Sequence, residues 1–197
     1  MEGDPSRGDE ESGHTEKVPA AQESASGGAC EDGHMSGAEL PDFHIPHAEK
    51  IEWMIETNGW ALEAVTPRSD LDPPVPAHAY TIGLPAAVGF PEIALYGLTP
   101  AAANGLLSMV VDALRGGTDI TIGDELIGLL DNGLRCRFVP VVAEEAATRF
   151  PTAVAWYRGE LPDVVQLLYP DRNGFMPYET GFDQRMRLAQ PVVGTLS

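Results

Sequence analysis

Three short apolar segments follow one another in the first half of the chain, and no helix-length pattern separates them. They cover residues 60–65, 79–84 and 92–98, with Pro, Gly and Asp residues between them. A long helical pattern comes only after the third segment, and further strand patterns follow that helix. The chain lacks the regular alternation of strands and helices that a parallel sheet requires. The order therefore favours an α+β fold with a mostly antiparallel sheet and helices packed on one side.

Helix signals flank this cluster of strands. Pro46 suits the first turn of a helix, and Gly59 offers a stop for it. Thr99 is a good N-cap before Pro100, and Gly116 ends the apolar stripe that follows them. A helix is therefore predicted on each side of the three strands.

The second half of the chain carries one more clear alternation. Asn132 and Gly133 predict a tight turn into a strand over residues 134–142. Arg135 and Arg137 should face solvent there, while the core should receive the alternate side chains Leu134, Cys136 and Phe138. The thiol is thus expected to be a core group and not a reactive one.

The remaining segments are shorter. Residues 143–157 are predicted to be helical with a break at Pro151, and residues 163–169 to form another strand. Pro and Gly residues punctuate roughly the last thirty positions, so extended chain and turns are expected there.

The first forty residues differ from the rest in composition. They consist mainly of Gly, Ser, Ala, Glu and Asp, contain no aromatic residue, and carry −8 of the formal net charge of −18. So little apolar surface cannot offset the entropy lost on ordering. Residues 1–41 are therefore predicted to be a disordered acidic tail, and residues 42–197 a single domain.

The net charge argues against several classes of partner. With 12 basic and 30 acidic residues, the chain is a poor ligand for nucleic acid or an anionic membrane, since both are bound through Lys and Arg. Its start lacks the basic and apolar regions of a secretory signal, and no apolar run is long enough for a membrane span. A cytoplasmic protein is expected, with a protein or peptide as its possible partner.

Specific residues in both halves of the chain resemble one known family. The first half contains the motifs Gly59-Trp60, Ala79-Tyr80-Thr81-Ile82-Gly83-Leu84, Pro91-Glu92-Ile93 and Gly97-Leu98. The second half contains the motifs Gln166-Leu167-Leu168-Tyr169-Pro170-Asp171, Gly174-Phe175-Met176-Pro177-Tyr178-Glu179 and Gln190-Pro191. In this order, over about residues 45–194, they are similar to the bacterial domain of unknown function 4262. The resemblance implies a bacterial protein without defining an activity.

A second similarity is shorter. The segment Tyr80–Leu84 followed by Pro91–Leu95 resembles a strand-loop-strand pattern of the suppressor-of-fused superfamily. The pattern consists of apolar residues around one Gly and one Glu. Because bacterial members of that superfamily act as binding or immunity proteins, the resemblance implies a protein-binding role.

His78, Tyr80, Thr81 and Glu92 form the first candidate site. A His beside a carboxylate can perform acid–base chemistry, because its pKa lies near neutrality. On a strand, His78 and Tyr80 share one face while Thr81 lies on the other. The alternative is structural: Tyr80 and Thr81 pack a sheet, and His78 ends a loop.

The second candidate site follows the last predicted strand. Its polar and aromatic members are Gln166, Tyr169, Asp171, Tyr178 and Glu179. Loops at strand ends often carry function, and paired carboxylates are typical of hydrolytic sites. The alternative is again structural, with Asp171 in an ordinary turn and Glu179 satisfying backbone donors or Arg185.

No metal or cofactor can be named from the sequence. Pro46 leaves little helix to align the rings of His44 and His47, and no third His or Cys lies near them. The motifs typical of nucleotide, serine-hydrolase and zinc-protease sites are absent. A flavin or nucleotide site without a sequence signature is left open.

Two functional hypotheses follow. The first is a non-catalytic binding or accessory protein, immunity-like or pathway-accessory, that docks a protein or peptide partner. The second is a small-ligand-binding protein or enzyme with a pocket between the Tyr80 strand and the segment Gln166–Glu179. The second hypothesis requires Tyr80, Gln166, Asp171 and Glu179 to surround one cavity.

Overall fold

The structure, a computed structural model, describes residues 46–196. The helices of this part are α1 (His47–Asn58), α2 (Leu84–Val88), α3 (Pro100–Arg115), α4 (Ala143–Arg149), α5 (Pro151–Trp156) and α6 (Gln184–Ala189). Its strands are β1 (Ala61–Val65), β2 (His78–Ile82), β3 (Glu92–Tyr96), β4 (Glu125–Ile127), β5 (Arg135–Pro140) and β6 (Val164–Leu168). The predicted tail, residues 1–41, and His44 lie outside the described residues.

One six-stranded sheet organises this part of the chain. Its strand order is β1-β2-β3-β6-β5-β4. Within it β3 and β6 run parallel, and the other neighbouring strands run antiparallel. The predicted α+β class with a mostly antiparallel sheet is therefore confirmed. The long excursion from α3 to α5 allows β6 to enter beside β3 in the parallel sense.

Helices cover both faces of the sheet, which differs from the predicted packing on one side. On one face, α3 packs through Leu107 and Val110. On the other face, α1, α4 and α5 pack through Ile51, Ala146 and Ala153. The reason lies in β2, β3 and β6, whose residues are all buried without the alternation of a half-exposed strand. Such strands need a cover on each face.

Most predicted boundaries are confirmed. Gly59 adopts a left-handed conformation with φ of 82° and ends α1. The Thr99 hydroxyl caps α3 by accepting a hydrogen bond from the Ala102 N–H at 3.3 Å. Pro151 separates α4 from α5. These positions were predictable because each depends on the chemistry of one residue and its immediate neighbours.

Three short elements were not predicted. α2 lies in a segment predicted to be a loop, α6 lies in the segment predicted to be extended chain and turns, and β4 has 3 residues. None is long enough to show a periodic apolar pattern. Asp183 is the one signal that could have indicated α6, because its carboxylate accepts from the Arg185 N–H at 2.8 Å as an N-cap.

The predicted alternation along β5 is partly corrected. Cys136 and Phe138 are buried as expected, and Arg135 and Arg137 are half-buried. Leu134, in contrast, is 44% exposed. It precedes the first paired residue of the strand and belongs to the turn, so the alternation does not reach it.

Gly97 offers a test of this packing. Its φ is 80°, and a Cβ there would lie 3.1 Å from the Tyr169 hydroxyl oxygen and 3.3 Å from the Ala189 carbonyl. We expect Gly97→Ala to lower the free energy of unfolding by about 2–3 kcal/mol, since backbone strain and crowding both act. Gly128→Ala is the matched control, because its φ is 89° and a Cβ there would have no atom within 4 Å apart from its chain neighbours. Urea denaturation should give about 1 kcal/mol for that control. Equal losses of stability in the two variants would contradict the close approach of Gly97 to Tyr169 and Ala189.

Candidate functional site

A cleft of about 690 Å³ opens between the edge of the sheet and the break between α4 and α5. Its walls come from β1, the loop after β1 and the two helices. His78 and Tyr80 of β2 form its floor and are 4% and 1% exposed. Because they are two residues apart on a strand, they share one face, as predicted. We call this site the His78 cleft.

Three polar atoms at and behind this floor have no hydrogen-bond partner within the described residues. They are His78 Nε2 and the hydroxyl oxygens of Tyr80 and Tyr96. The centroid of the His78 ring lies 4.9 Å from that of Tyr96 and 6.2 Å from that of Tyr80. Buried polar groups are nearly always paired, so a cluster of unpaired ones calls for an explanation. All three atoms are shielded from solvent, and the polar groups that act on them belong to Arg149, for His78 and Tyr96, and to Thr152, for Tyr80.

The floor of the cleft is neutral near pH 7. His78 Nδ1 lies 3.0 Å from the Pro76 carbonyl oxygen, which can only accept, so Nδ1 carries the proton. Burial lowers the pKa of His78, and the backbone of Pro76 and Arg149 offsets this only in part. Burial likewise raises the pKa of Tyr80. The floor therefore consists of a neutral imidazole that is protonated on Nδ1 and an un-ionised hydroxyl.

The basic side chains in the walls are engaged by neighbouring carboxylates. Arg149 Nε lies 2.8 Å from Glu145 Oε2, one turn earlier on α4. Arg68, in the loop after β1, lies 2.8 Å from Asp70. Neither cation is therefore free to neutralise an anionic ligand without giving up its partner.

Glu63 of β1 connects the His78 cleft to a second cleft. Its Oε2 lies 2.9 Å from His47 Nε2, and its Oε1 accepts from the Thr152 hydroxyl at 3.1 Å. The second cleft, of about 680 Å³, lies between α1 and α5. Pro151 and Thr152 line both clefts, so they form a common wall. We call this second site the α1–α5 cleft.

Glu92 is the central acceptor of a separate, buried network. Its Oε2 accepts from the Thr81 hydroxyl at 2.5 Å, and its Oε1 from the Tyr157 hydroxyl at 2.5 Å. The backbone N–H groups of Gly83 and Leu84 donate to Oε1 at 2.6 and 3.2 Å. Burial raises the pKa of Glu92, and these hydrogen bonds oppose the shift. The carboxyl group is satisfied internally, so the structural alternative applies to Thr81 and Glu92.

Gln166 and Tyr169 hold the end of the chain against the sheet. Gln166 Nε2 donates to the Pro191 carbonyl at 2.6 Å, and its Oε1 accepts from two backbone N–H groups at 2.8 and 3.0 Å. The Tyr169 hydroxyl donates to the Tyr96 carbonyl at 2.8 Å. Both side chains use their polar atoms inside the fold, which again favours the structural alternative.

Asp171 organises the loop that follows β6. Its carboxylate accepts from the backbone N–H groups of Asn173, Phe175 and Asp183 at 2.8, 3.0 and 2.8 Å. Burial raises the pKa of Asp171, but these backbone donors outweigh it and hold the pKa below its ordinary value. The residue therefore acts as a turn-forming acceptor, as the structural alternative proposed.

Glu179 and Tyr178 join this loop to the β4–β5 hairpin. Glu179 Oε2 accepts from the Met176 N–H at 2.8 Å, which confirms the expected backbone donor. It also lies 2.8 Å from a guanidinium nitrogen of Arg135, and not of Arg185. This contact lowers the pKa of Glu179. The Tyr178 hydroxyl donates to Glu125 Oε2 at 3.2 Å.

The predicted site residues therefore fall into separate places. His78 and Tyr80 line the His78 cleft, whereas Tyr178 and Glu179 line a depression of about 350 Å³ beside α6. The Tyr80 strand and the segment Gln166–Glu179 do not share the predicted pocket, because β3 lies between β2 and β6 in the sheet.

The wall residues are not among the predicted site residues. Glu63, Arg149 and Thr152 come from three elements that are distant in sequence, and no motif connects them. The one local signal is Pro151, which breaks the α4–α5 segment beside the cleft. Only the tertiary fold brings these side chains together with His78.

Two further properties bear on the chemistry. Cys136 is buried in the core, and burial raises its pKa to about 11. Among residues 46–196, no group of three or more His, Cys, Asp or Glu side chains is placed to hold a metal ion. In the same part of the chain, no helix is both long and apolar enough to cross a membrane.

Comparison with protein families gives one match. The model of a family described as a domain of unknown function (DUF4262) matches residues 54–183, about two thirds of the chain. The chain belongs to this family. The family that the motifs indicated is thus confirmed. Comparison of this family member with curated proteins and with solved structures gives no match.

The Glu92 network predicts a large loss of stability in Glu92→Gln. The amide NH2 group cannot accept a hydrogen bond, so it leaves at least one buried donor unpaired. We expect the free energy of unfolding to fall by about 2 kcal/mol or more, measured by urea denaturation. Glu56→Gln, on the exposed side of α1, should stay within about 0.5 kcal/mol of the parent protein. Similar effects of the two substitutions would count against the network.

The buried His78 predicts a pH-dependent contribution to stability. Its folded pKa is lowered from 6.5, so the unfolded chain takes up the proton first as the pH falls. The stabilisation is therefore present above about pH 6.5 and is lost below it, by at most about 1.4 kcal/mol per pH unit. The raised pKa of Glu92 has the opposite effect.

A comparison of the parent protein with His78→Phe isolates this contribution. Glu92 titrates in both proteins, so its effect cancels in the difference between their free energies of unfolding. As the pH falls from about 7.5 to about 5.5, the free energy of unfolding of the parent protein should decrease relative to that of His78→Phe. A difference that does not change with pH would show that His78 is not held neutral by burial.

Proposed function

We propose that the protein is a non-catalytic binding protein of the bacterial cytoplasm that docks a peptide segment of a protein partner in the His78 cleft. One observation carries this proposal: the His78 cleft and the α1–α5 cleft adjoin along a wall that both share, formed by Pro151 and Thr152. A peptide that extends across this wall would bury apolar surface in both clefts at once.

The arrangement of the two clefts favours a peptide over a compact ligand. The His78 cleft and the α1–α5 cleft have similar volumes, about 690 and about 680 Å³, and share Pro151 and Thr152 as a wall. Two adjoining compartments suit an extended segment that places one side chain in each. Each volume also lies within the range of about 300–1,000 Å³ that is usual for ligand sites.

The chemistry of the cleft suits recognition better than catalysis. Arg149 and Arg68 are engaged by neighbouring carboxylates, and burial favours the neutral forms of His78 and Tyr80. Hydrolytic chemistry needs groups that stabilise charge developing in the transition state, and neutral side chains between paired ions do not supply them. The proposal therefore assigns the cleft a binding role.

Sequence properties support the class of partner and the compartment. The net charge of −18 favours a protein over nucleic acid. The buried free thiol of Cys136 fits a reducing cytoplasm. The short resemblance to the suppressor-of-fused superfamily, whose bacterial members act as binding or immunity proteins, supports a protein-binding role.

Selection from a random peptide library displayed on phage tests the proposal. The full chain serves as the target, and enriched sequences are then measured as synthetic peptides by calorimetry. We expect binding in the micromolar range, about −8 kcal/mol, and binding at least tenfold weaker to Thr152→Trp. That substitution fills the wall shared by the two clefts.

Thr118→Trp, exposed in the loop after α3, is the matched control and should bind like the parent protein. Thermal unfolding of both variants checks that each is folded. If the selected peptides bind both variants equally, the peptide site lies elsewhere. If no sequence is enriched, peptide docking is wrong, and the hypothesis of a small-ligand-binding protein or enzyme takes its place.

A further inference from the structure

We propose that the docked peptide is basic: one of its apolar side chains enters the α1–α5 cleft, and its Lys or Arg side chains lie along the rim of that cleft. The rim consists of Glu49, Glu52 and Glu56 of α1, and we call it the α1 acidic rim. The inference rests on the proposed function for the peptide nature of the partner. It adds the charge of that peptide and the surface that contacts the charge.

The three rim carboxylates lie on one side of α1, next to the cleft. Glu49, Glu52 and Glu56 are separated by three, four and seven residues, so they fall within about 60° of one another around the helix axis. All three residues are exposed. Ala48 and Glu52 belong to the cleft wall, so the rim continues that wall. Lys50, the only Lys or Arg of α1, lies about 160° around the helix from Glu52.

The rim carboxylates are not compensated by the described part of the chain. Among residues 46–196, none of them has an ion-pair partner. Like charges three and four residues apart repel each other on a helix surface. Glu56 also lies in the last turn of α1, where the negative end of the helix dipole disfavours a carboxylate. Cations brought by a partner would relieve both repulsions.

The charge of the whole chain favours the same partner. The first forty residues carry −8 of the net charge of −18, so the remainder carries −10. Opposite potentials on two partners accelerate their encounter and disfavour partners of like charge. An acidic peptide would be repelled at long range and would then meet the carboxylates of the rim.

The cleft beside the rim provides apolar contacts. Ile51 on the α1 side is 1% exposed, and Ala155 and Trp156 line the α5 side. Trp156 is 37% exposed, and Trp53, one helical turn after Glu49, is 63% exposed. Indole faces attract Lys and Arg, and an apolar side chain gains by leaving water. The surface is therefore complementary to a peptide in which cationic residues flank an aliphatic or aromatic one.

Arg158 determines where the cationic residues of the peptide can lie. It is the only Lys or Arg among the residues that line the cleft, and it follows α5. The other basic group in the lining, His47, is already engaged by Glu63 at 2.9 Å. An acidic peptide held by Arg158 is the alternative, but one guanidinium would have to outweigh three rim carboxylates. The cations of the peptide are therefore expected on the α1 side of the cleft.

Three hexapeptides test the charge preference with the full chain. They are acetylated and amidated, share a central Leu-Phe pair, and have the sequences KKLFKK, QQLFQQ and EELFEE. Calorimetry in about 50 mM NaCl should give KKLFKK a Kd on the order of 10–100 μM. QQLFQQ should bind at least about fivefold more weakly, because it forms no ion pairs with the rim, and EELFEE more weakly still. About 500 mM NaCl should remove most of the difference.

Two triple variants with the same loss of charge locate the cationic contacts. The rim variant carries Glu49→Gln, Glu52→Gln and Glu56→Gln, and the control carries Glu10→Gln, Glu11→Gln and Glu16→Gln in the predicted tail. The rim variant should bind KKLFKK at least about fivefold more weakly and QQLFQQ with unchanged affinity, whereas the control should change either affinity less than about twofold. Thermal unfolding checks that both variants are folded.

A further pair of variants locates the apolar contact. Ala155→Trp fills the cleft from an exposed position on α5 and should weaken KKLFKK binding at least about fivefold, while Thr118→Trp should leave it unchanged. The hexapeptides contain no Trp, so a change of Trp emission on binding comes from the protein. Loss of that change in Trp156→Phe would locate the peptide beside Trp156.

Several outcomes would overturn the inference. Equal affinities for KKLFKK and QQLFQQ, equal effects of the rim variant and the tail control, an affinity insensitive to Ala155→Trp, or no binding of KKLFKK would each do so. The proposed function fails separately, by the peptide selection. Selected peptides that depend on Thr152 but contain no excess of Lys and Arg would leave the docking proposal standing and show that the charge assignment is wrong.

Discussion

The fold depends on a single buried carboxyl group. Glu92 accepts hydrogen bonds from Thr81 of β2, from the first turn of α2 and from Tyr157 after α5. These donors lie in parts of the chain up to 65 residues away from it. Since a buried carboxyl group needs partners and each of these donors needs an acceptor, all of them are fixed together. The relative position of β2, β3 and the end of α5 is therefore determined by polar geometry as well as by apolar packing.

The Glu92 network also affects the shape of the His78 cleft indirectly. Tyr157 holds the end of α5 at the strand ends, while Ala146, Phe150 and Ala153 pack the two short helices against the sheet. Pro151 prevents α4 and α5 from forming one straight helix, because its ring cannot be accommodated in a helix interior. The break leaves the first turn of α5 standing beside the floor residues of β2, and the cleft occupies the space between them.

The accuracy of the sequence predictions follows the range of the interactions involved. Thr99 and Gly59 act on neighbouring residues, so the limits of α3 and α1 were predictable. The coverage of both sheet faces was not, because it depends on β6 entering between β3 and β5. The candidate residues could be identified because each is a polar or aromatic side chain in or beside a predicted strand. Which of them share a site could not be predicted, since the surroundings of Glu92 and of His78 include residues more than sixty positions away in the sequence.

The contrast between the candidate groups is itself an argument about function. Glu92, Gln166 and Asp171 are buried polar side chains whose acceptors are filled by donors of the same chain. In the same fold, His78 Nε2 and the hydroxyl groups of Tyr80 and Tyr96 are equally buried and have no partner in hydrogen-bond geometry within the described residues. The polar groups that act on them belong to Arg149 and Thr152, on either side of the break at Pro151. The incomplete pairing therefore lies where α4 and α5 separate, beside the wall that the two clefts share. Unpaired buried groups lower the local stability, and binding sites are drawn from regions of low local stability.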